Sequence, residues 1–184
     1  MNKILKVSEP GLYEAMERFL IEFSTPPVPD DGRHVIPGDI DDQTLPPTDN
    51  EFFMFAPIRS ERRGTNVRKW HATEDEVAQI EYVETVVQVD CYSASLVKAM
   101  RRAQTLETMM RSEPAVRFLA PFGISPLFAD APRNLSRVMD AGRYVPRWSV
   151  DLHVGYWRRV DVHTEYFETA HIDIHNVDVR FPPR

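Results

Sequence analysis

The chain has 184 residues, 42% hydrophobic and 27% charged, with a net charge of −6 and a single cysteine. Such a length and mix suit one soluble folded domain, spanning residues 1–184, with a respectable core, and the negative charge argues against bulk attraction to nucleic acid. One cysteine excludes an internal disulfide, and no run of about 18 apolar residues is present to cross a membrane.

In chain order, residues 1–7 are too short and polar for a signal peptide, so synthesis and folding in the cytoplasm are the expectation. Ser8, Glu9 and Pro10 form a helix-start signal, since a hydroxyl can cap free N–H groups and proline is tolerated in a first turn. Leu12, Met16, Phe19, Leu20 and Phe23 then recur at helical spacing, predicting an amphipathic helix over about 9–23. The prolines that follow Thr25 end it. Residues 25–50 hold six prolines and six aspartates. A connection of that length inside one domain is usually functional or mobile, so it reads either as an arm lying on a neighbour or as a solvated loop. Within it, Val35 and Ile36 suggest a short edge strand.

Phe52-Phe-Met-Phe-Ala-Pro-Ile58 is a continuous apolar run that suits a buried strand, with Pro57 limiting its pairing. Arg59, Arg62, Arg63, Arg68 and Lys69 crowd the next twelve positions around Gly64, which predicts a long hairpin tip. A strand over about 80–92 follows, with Val83, Thr85, Val87, Val89 and Cys91 on one face and Glu84, Val86, Gln88 and Asp90 on the other. Cys91 reads as a small buried hydrophobe. Ser93 is the expected cap of a second helix over about 94–112, whose stripe is Leu96, Val97, Met100, Ala103, Leu106, Met109 and Met110, and Pro114 is expected to close it. Residues 115–119 suggest a helical turn and 121–146 a loop. Trp148, Val150, Leu152, Val154 and Tyr156 alternate with Arg147, Ser149, Asp151, His153 and Trp157, the pattern of a strand with one buried face. A last strand is expected over about 171–181, its apolar side switching from Ile172 and Ile174 to Val177 and Val179 across a bulge. The sum is an α+β fold: a mainly antiparallel four- to five-stranded sheet with two helices packed on one face and long extended loops.

Chemistry is sparse. The chain has no nucleophile elbow, zinc-helix motif, phosphate-binding glycine loop or dinucleotide fingerprint, so no catalytic, cofactor or metal residues are assigned. His171, Asp173 and His175 would share a strand face at a spacing metals use, with His153 or His163 as further ligands, and a metal-dependent enzyme is one alternative. A small nucleic-acid-binding module using Arg62, Arg63, Arg68, Lys69 and Trp70 is the other. Mixed charge around this basic stretch suits an inter-subunit loop better.

Several blocks carry a family resemblance: Val35-Ile-Pro-Gly38; Pro46-Pro-Thr-Asp-Asn-Glu-Phe-Phe-Met-Phe-Ala-Pro-Ile58; Arg63-Gly-Thr-Asn66; Pro126-Leu-Phe-Ala-Asp-Ala-Pro-Arg133; Arg147-Trp-Ser-Val-Asp-Leu-His153; and Val177-Asp-Val-Arg-Phe-Pro182. Taken in order, they resemble the phage neck terminator and tail-terminator-like proteins of tailed bacteriophages. The resemblance implies a virion structural protein without enzymatic activity, placed in the neck or tail. It implies a homo-oligomeric, commonly hexameric ring that caps the tail tube and joins it to the head connector or adaptor, with the tail sheath a further candidate partner. Genome DNA would pass through without specific binding, and no membrane is involved. Arg62, Arg63, Arg68, Trp70, Arg133 and Arg147 are the candidate subunit-interface residues. The run Trp157-Arg-Arg159 and the Asp- and Pro-rich 25–50 segment depart from the family pattern.

Overall fold

Alternation in the two best-patterned strands organises the molecule. In the computed structural model, which describes residues 3–8, 10–30, 33–38, 51–70, 76–138 and 144–163, the element order is β1 (Lys3–Ser8), α1 (Leu12–Phe23), β2 (Val35–Pro37), β3 (Phe52–Trp70), β4 (Glu76–Tyr92), α2 (Leu96–Met109), α3 (Glu113–Leu119), a 3₁₀ turn (Ala120–Phe122), β5 (Ile124–Ala129), β6 (Arg133–Asn134), β7 (Arg137–Val138), β8 (Tyr144–Val145) and β9 (Arg147–His163). The main sheet has seven strands in the order β1-β9-β4-β3-β2, with β5 and β6 also paired to β9, while β7 and β8 form a separate two-stranded ladder. β4 and β9 pair antiparallel along their full lengths, from Glu76↔His163 to Tyr92↔Arg147. The opposite edge of β9 is taken in succession by β6, β5 and β1. A strand flanked along both edges is protected, and Val150, Leu152, Val154 and Tyr156 of β9 are buried.

The expected α+β class holds, with corrections. The sheet is mixed, because β2 runs parallel to β3, and the described residues form three α-helices. Ser8 ends a strand and caps nothing; the helix starts at Leu12 behind Gly11, which makes no side-chain cap bond. Ser93 does not cap α2 either. Its hydroxyl accepts from the Ser95 N–H at 3.1 Å and donates to Glu51 at 3.3 Å, shaping the turn before the helix. Pro114 sits in the first turn of α3, where its missing N–H costs nothing, and Ser112 caps that helix through the Ala115 N–H. The apolar stripe of α2 is displaced from the predicted one. Leu96 and Val97 are exposed, whereas Ala99, Arg102, Ala103 and Leu106 face inward.

Residues 121–146 are not simply loop. They carry β5, β6, β7 and β8, and Pro126 is tolerated in β5 because it sits beside a register shift between Pro126 and Phe128. The expected hairpin tip at 59–70 is continuous strand. β3 pairs with β4 out to Trp70↔Val77, with irregularities at Pro57/Arg59 and Arg63/Val67 that accommodate Pro57 and the positive φ of Gly64. β4 likewise begins at Glu76, before the predicted 80. Val35–Pro37 is the edge strand foreseen. The predicted strand over 171–181, with His171, Asp173 and His175, lies outside the described residues.

The core fills the space between the three helices and one sheet face. Phe53 and Phe55 from β3, Val83, Val87, Val89 and Cys91 from β4, and Val150, Leu152, Val154 and Tyr156 from β9 meet Met16, Phe19, Leu20, Ala103, Leu106 and Leu119. Phe19, Phe23, Phe118 and Phe122 link the helices through ring contacts of 4.9–6.1 Å. This cluster stops at Val83 and Tyr156. Beyond it the sheet runs on through residues 76–82 of β4, roughly 24 Å at strand rise. The result is an arm built from β1, β9, β4 and the distal half of β3.

Candidate assembly surface

The sheet face opposite the helices is built by the other half of the strand alternation. Register places Arg59, Arg63, Glu84, Gln88, Asp90, Arg147, Ser149, Asp151, His153 and Trp157 on it. These side chains mostly satisfy one another. Arg147 meets Asp90 at 2.5 Å and lies over the Tyr92 ring, which stacks on Phe52 with centroids 4.5 Å apart. Burial opposes the Arg147 charge, yet the Asp90 carboxylate outweighs it and the guanidinium pKa is raised. Gln88 donates to Ser149 at 3.0 Å. Arg133, half-exposed, reaches Asp151 at 2.7 Å. Arg133 and Arg147, two of the candidate contact residues, are therefore engaged within their own subunit.

His153 is the centre of a second cluster. Its Nδ1 lies 3.0 Å from Glu84 and its Nε2 3.4 Å from Asp130, while Phe128 stacks on the ring at 3.9 Å. Arg63 closes the group with a 2.8 Å bond to Glu84. Hydrogen bonds from His153 and then Arg63 hold the Glu84 carboxyl below its ordinary value. Two carboxylates and an aromatic face hold the imidazole in one orientation, and among the described residues no hydroxyl or thiol is bonded to it. The one thiol, Cys91, is fully buried, and burial pushes its pKa up, the opposite of what a nucleophile needs. Among the described residues no group of three or more His, Cys, Asp or Glu side chains is placed to hold a metal ion.

On the helix side, an open groove of about 540 Å³ lies where α1 begins. Its floor is a hydroxyl ladder across three strands, Ser60 to Thr85 at 2.8 Å and Thr85 to Tyr156 at 3.2 Å. The hydroxyls satisfy each other.

The arm differs in character. Every residue from Arg62 to Trp70 is exposed, and Trp70 at 61% and Trp157 at 59% are the most exposed of the large apolar side chains described. Trp157 meets the edge of Tyr82 at 5.2 Å. Tyr82 in turn folds over Gly155, where an added Cβ would lie 1.9 Å from the phenol oxygen. The glycine thus makes the seat for an aromatic pair flanked by Arg63. Arg62 donates to Asn66 at 3.2 Å, and among the described residues Arg68 and Lys69 form no ion pair. The predicted basic set is therefore split: Arg62, Arg63, Arg68 and Trp70 lie along the arm, with Arg133 and Arg147 in the polar ladder near the core.

Sequence reasoning placed Glu84 on a strand face without giving it a role, and did not single out Tyr82 or Gly155. The legible signal was Trp157-Arg-Arg159, an exposed tryptophan where a strand pattern asks for a polar residue. Trp, Tyr and Arg at exposed positions are the residue types that anchor protein–protein contacts. No described helix is long and apolar enough to cross a membrane. A comparison with curated proteins gave no match. The family model described as phage neck terminator protein matches residues 11–179, and the chain belongs to that family of phage structural proteins.

Proposed function

We propose that the protein forms a ring at the head-proximal end of the phage tail, capping the tail tube and joining it to the head connector. Family membership over residues 11–179 is the observation that carries this reading. A hexameric ring needs a head-to-tail contact between two different patches of each subunit. The exposed arm, with Arg62, Arg63, Arg68 and Trp70, is one patch of the right kind. Arg133 and Arg147 border the other end of the same sheet face. The mechanism is steric: a closed ring seated on the last tube ring blocks further addition and offers its opposite surface to the connector or adaptor, with the sheath a further candidate. The net charge of −6 suits a channel that DNA slides through without sticking.

Light scattering on the purified chain, alone and mixed with tail tubes, tests this. A ring in either setting, and capped tubes that no longer elongate, are the expected results. A chain that stays monomeric and leaves tubes free to elongate at high concentration refutes the reading.

A further inference from the structure

The arm carries an exposed aromatic strip whose rings are held in place. Trp157 is 59% exposed, yet it meets the edge of Tyr82, which lies over Gly155. Register sets Val67 and Ile80 in the next row of the same face, with Val67 also exposed. The charges beside this strip are already matched. Arg63 bonds Glu84 at 2.8 Å and lies 3.4 Å from Glu61, Arg59 reaches Glu61 at 3.2 Å, and Arg159 bonds Asp161 at 2.7 Å. Lys3, Lys6, Lys69, Glu76 and His163 belong to rows at the level of Ala78 or beyond, with Glu74 and Asp75 preceding Glu76 in sequence. Ala78 is four β4 residues from Tyr82, roughly 13 Å at strand rise and past one Debye length at physiological salt. A matched rim around an exposed indole suits an uncharged, apolar occupant.

A face of that kind stands at the other end of the molecule. Thr25-Pro-Pro-Val-Pro29 carries no charge. Pro27 and Pro29 are exposed, while Val28 between them is buried and its N–H donates to the Ser24 hydroxyl at 3.2 Å. Arg102 fixes the segment by donating to the Pro26 carbonyl at 3.0 Å and the Pro27 carbonyl at 3.4 Å. Proline confines its own φ and holds the residue before it extended, so the two exposed rings form a rigid ledge with little freedom to lose on binding. Proline rings laid on aromatic faces are a recurring mode of peptide recognition.

A subunit cannot seat its own ledge. The Arg102 guanidinium also bonds the Tyr92 carbonyl at 3.4 Å, which sets the ledge at the Tyr92 end of β4. Tyr82 lies ten residues along that strand, roughly 34 Å away. It also faces the side of the sheet opposite the core, whereas Arg102 lies over the core ring of Phe53.

We propose that the Tyr82–Trp157 seat of one copy receives the Pro27–Pro29 ledge of a second copy of this chain. Seat and ledge are different patches at opposite ends of the subunit, so the contact is head-to-tail and propagates around a closed ring. This deepens the ring reading and rests on it. Two prolines against one aromatic strip bury on the order of 300 Å² per partner, against roughly 800 Å² per partner in a stable interface. A lone pair of copies is therefore weak, and the contact tells when every junction of a ring closes together.

The test uses the full-length chain, alone and on purified tail tubes. Trp157→Ala empties the seat. Pro27→Ala with Pro29→Ala strips the ledge while leaving the carbonyls that Arg102 holds. All three positions are exposed, so each variant should keep wild-type circular dichroism, and Pro29→Ala alone replaces the double change if that one unfolds. By light scattering each should assemble at least tenfold more weakly than wild type. Tryptophan emission should move to shorter wavelength when wild type assembles, and the Trp157→Ala chain should lack that change. Wild-type chain that associates in neither setting overturns the ring reading and this one together. Rings that both variants form at the wild-type concentration overturn the pairing alone. Failure of Trp157→Ala where the proline variant assembles assigns the seat to a proline-bearing partner other than this chain. Failure of the proline variant where Trp157→Ala assembles assigns the ledge to another surface. Either result overturns the proposal.

Discussion

Arg102 is the residue whose replacement should cost the fold most. It lies in the middle of α2 with no solvent exposure, yet its guanidinium is fully engaged. Nε donates to the Pro26 carbonyl at 3.0 Å, Nη2 to Glu51 at 2.7 Å and to the Pro27 carbonyl at 3.4 Å, and Nη1 to the Tyr92 carbonyl at 3.4 Å. The charge also lies 5.6 Å from the centre of the Phe53 ring. One side chain thus ties the segment after α1, the end of β4 and the start of β3 to α2. Arg102→Ala strips three backbone carbonyls and one carboxylate of a donor and opens a cavity. Breaking a buried pair of this kind costs about 3–5 kcal/mol. For a chain of this size, with roughly 2–4 °C per kcal/mol, the melting temperature should fall by roughly 6–20 °C. Arg102→Met keeps the apolar stem and should recover only the cavity part. Glu51→Gln should cost less than either, because Glu51 is partly exposed and the three carbonyls keep their donor. Thermal unfolding followed by circular dichroism decides the matter. If Arg102→Ala unfolds within 1 kcal/mol of wild type, or if Arg102→Met is as stable as wild type, the guanidinium does not hold these three elements together.

Three further outcomes are expected. Cys91 should resist a thiol reagent such as Ellman's in the native state and react only on unfolding, since its burial both blocks access and raises its pKa; prompt native labelling would contradict its placement. Gly155→Ala should swing Tyr82 off the sheet and break its contact with Trp157, at a cost of about 0.5–1.5 kcal/mol. The change in tryptophan emission should be absent in a Trp157→Phe background, and unaltered emission in the parent would contradict the seat. Stability should decline in acid. Burial alone would raise the Glu51 carboxyl, but Lys98 and Arg102 together outweigh it, and His153 and Arg63 lower Glu84. Their folded pKa values lie below the unfolded glutamate value of about 4.3, so the stabilisation is full above that pH and lost as pH falls through the depressed values. Denaturant midpoints measured from pH 7 to 3 should fall below about pH 4, less steeply in Glu84→Gln; a flat profile would contradict both assignments.

What the sequence disclosed follows burial. β4 over 83–91 and β9 over 148–156 were legible because one face of each is dry, and a dry face forces apolar residues to every second position. The continuations at 76–79 of β4 and 59–70 of β3 went unread, because residues 62–70 are exposed on both faces and the adjacent Val77 and Ala78 are both buried, so neither stretch alternates. There the strand character comes from pairing with β4, which a single sequence does not display. β5 was hidden by Pro126, which an edge position next to a register shift tolerates. Arg102 was unreadable for another reason. An arginine inside an apolar helix stripe reads as a surface residue until the carbonyls of Pro26, Pro27 and Tyr92 are seen to surround it. The basic stretch was visible as charge, but the pairing of Arg59 and Arg63, and the lack of an ion pair among the described residues at Arg68 and Lys69, needed the register that sets Arg63 beside Glu84.

The two ends of the sheet place opposite demands on one set of strands. Near the helices, Val87, Val89, Leu152 and Val154 lock the register, since a one-residue slip would turn every one of them to the wrong face. Past Val83 the main core no longer enforces that register, although Val77 and Ala78 are buried near the far end, and β3, β4 and β9 stay paired to Trp70, Val77 and Val162. Cross-strand pairs then carry the register outward: Arg158 with Glu81, Arg63 with Glu84, and Tyr82 with Trp157. Each contributes modestly, too little to fold an isolated ribbon but enough to extend one that the core has already nucleated. The strands of such an arm are continuous with the core, and among the described residues β3 beyond Pro37↔Phe55 has β4 as its one pairing partner. Position is therefore supplied by the buried end, and the exposed end is the surface on which the proposed ring contact would draw.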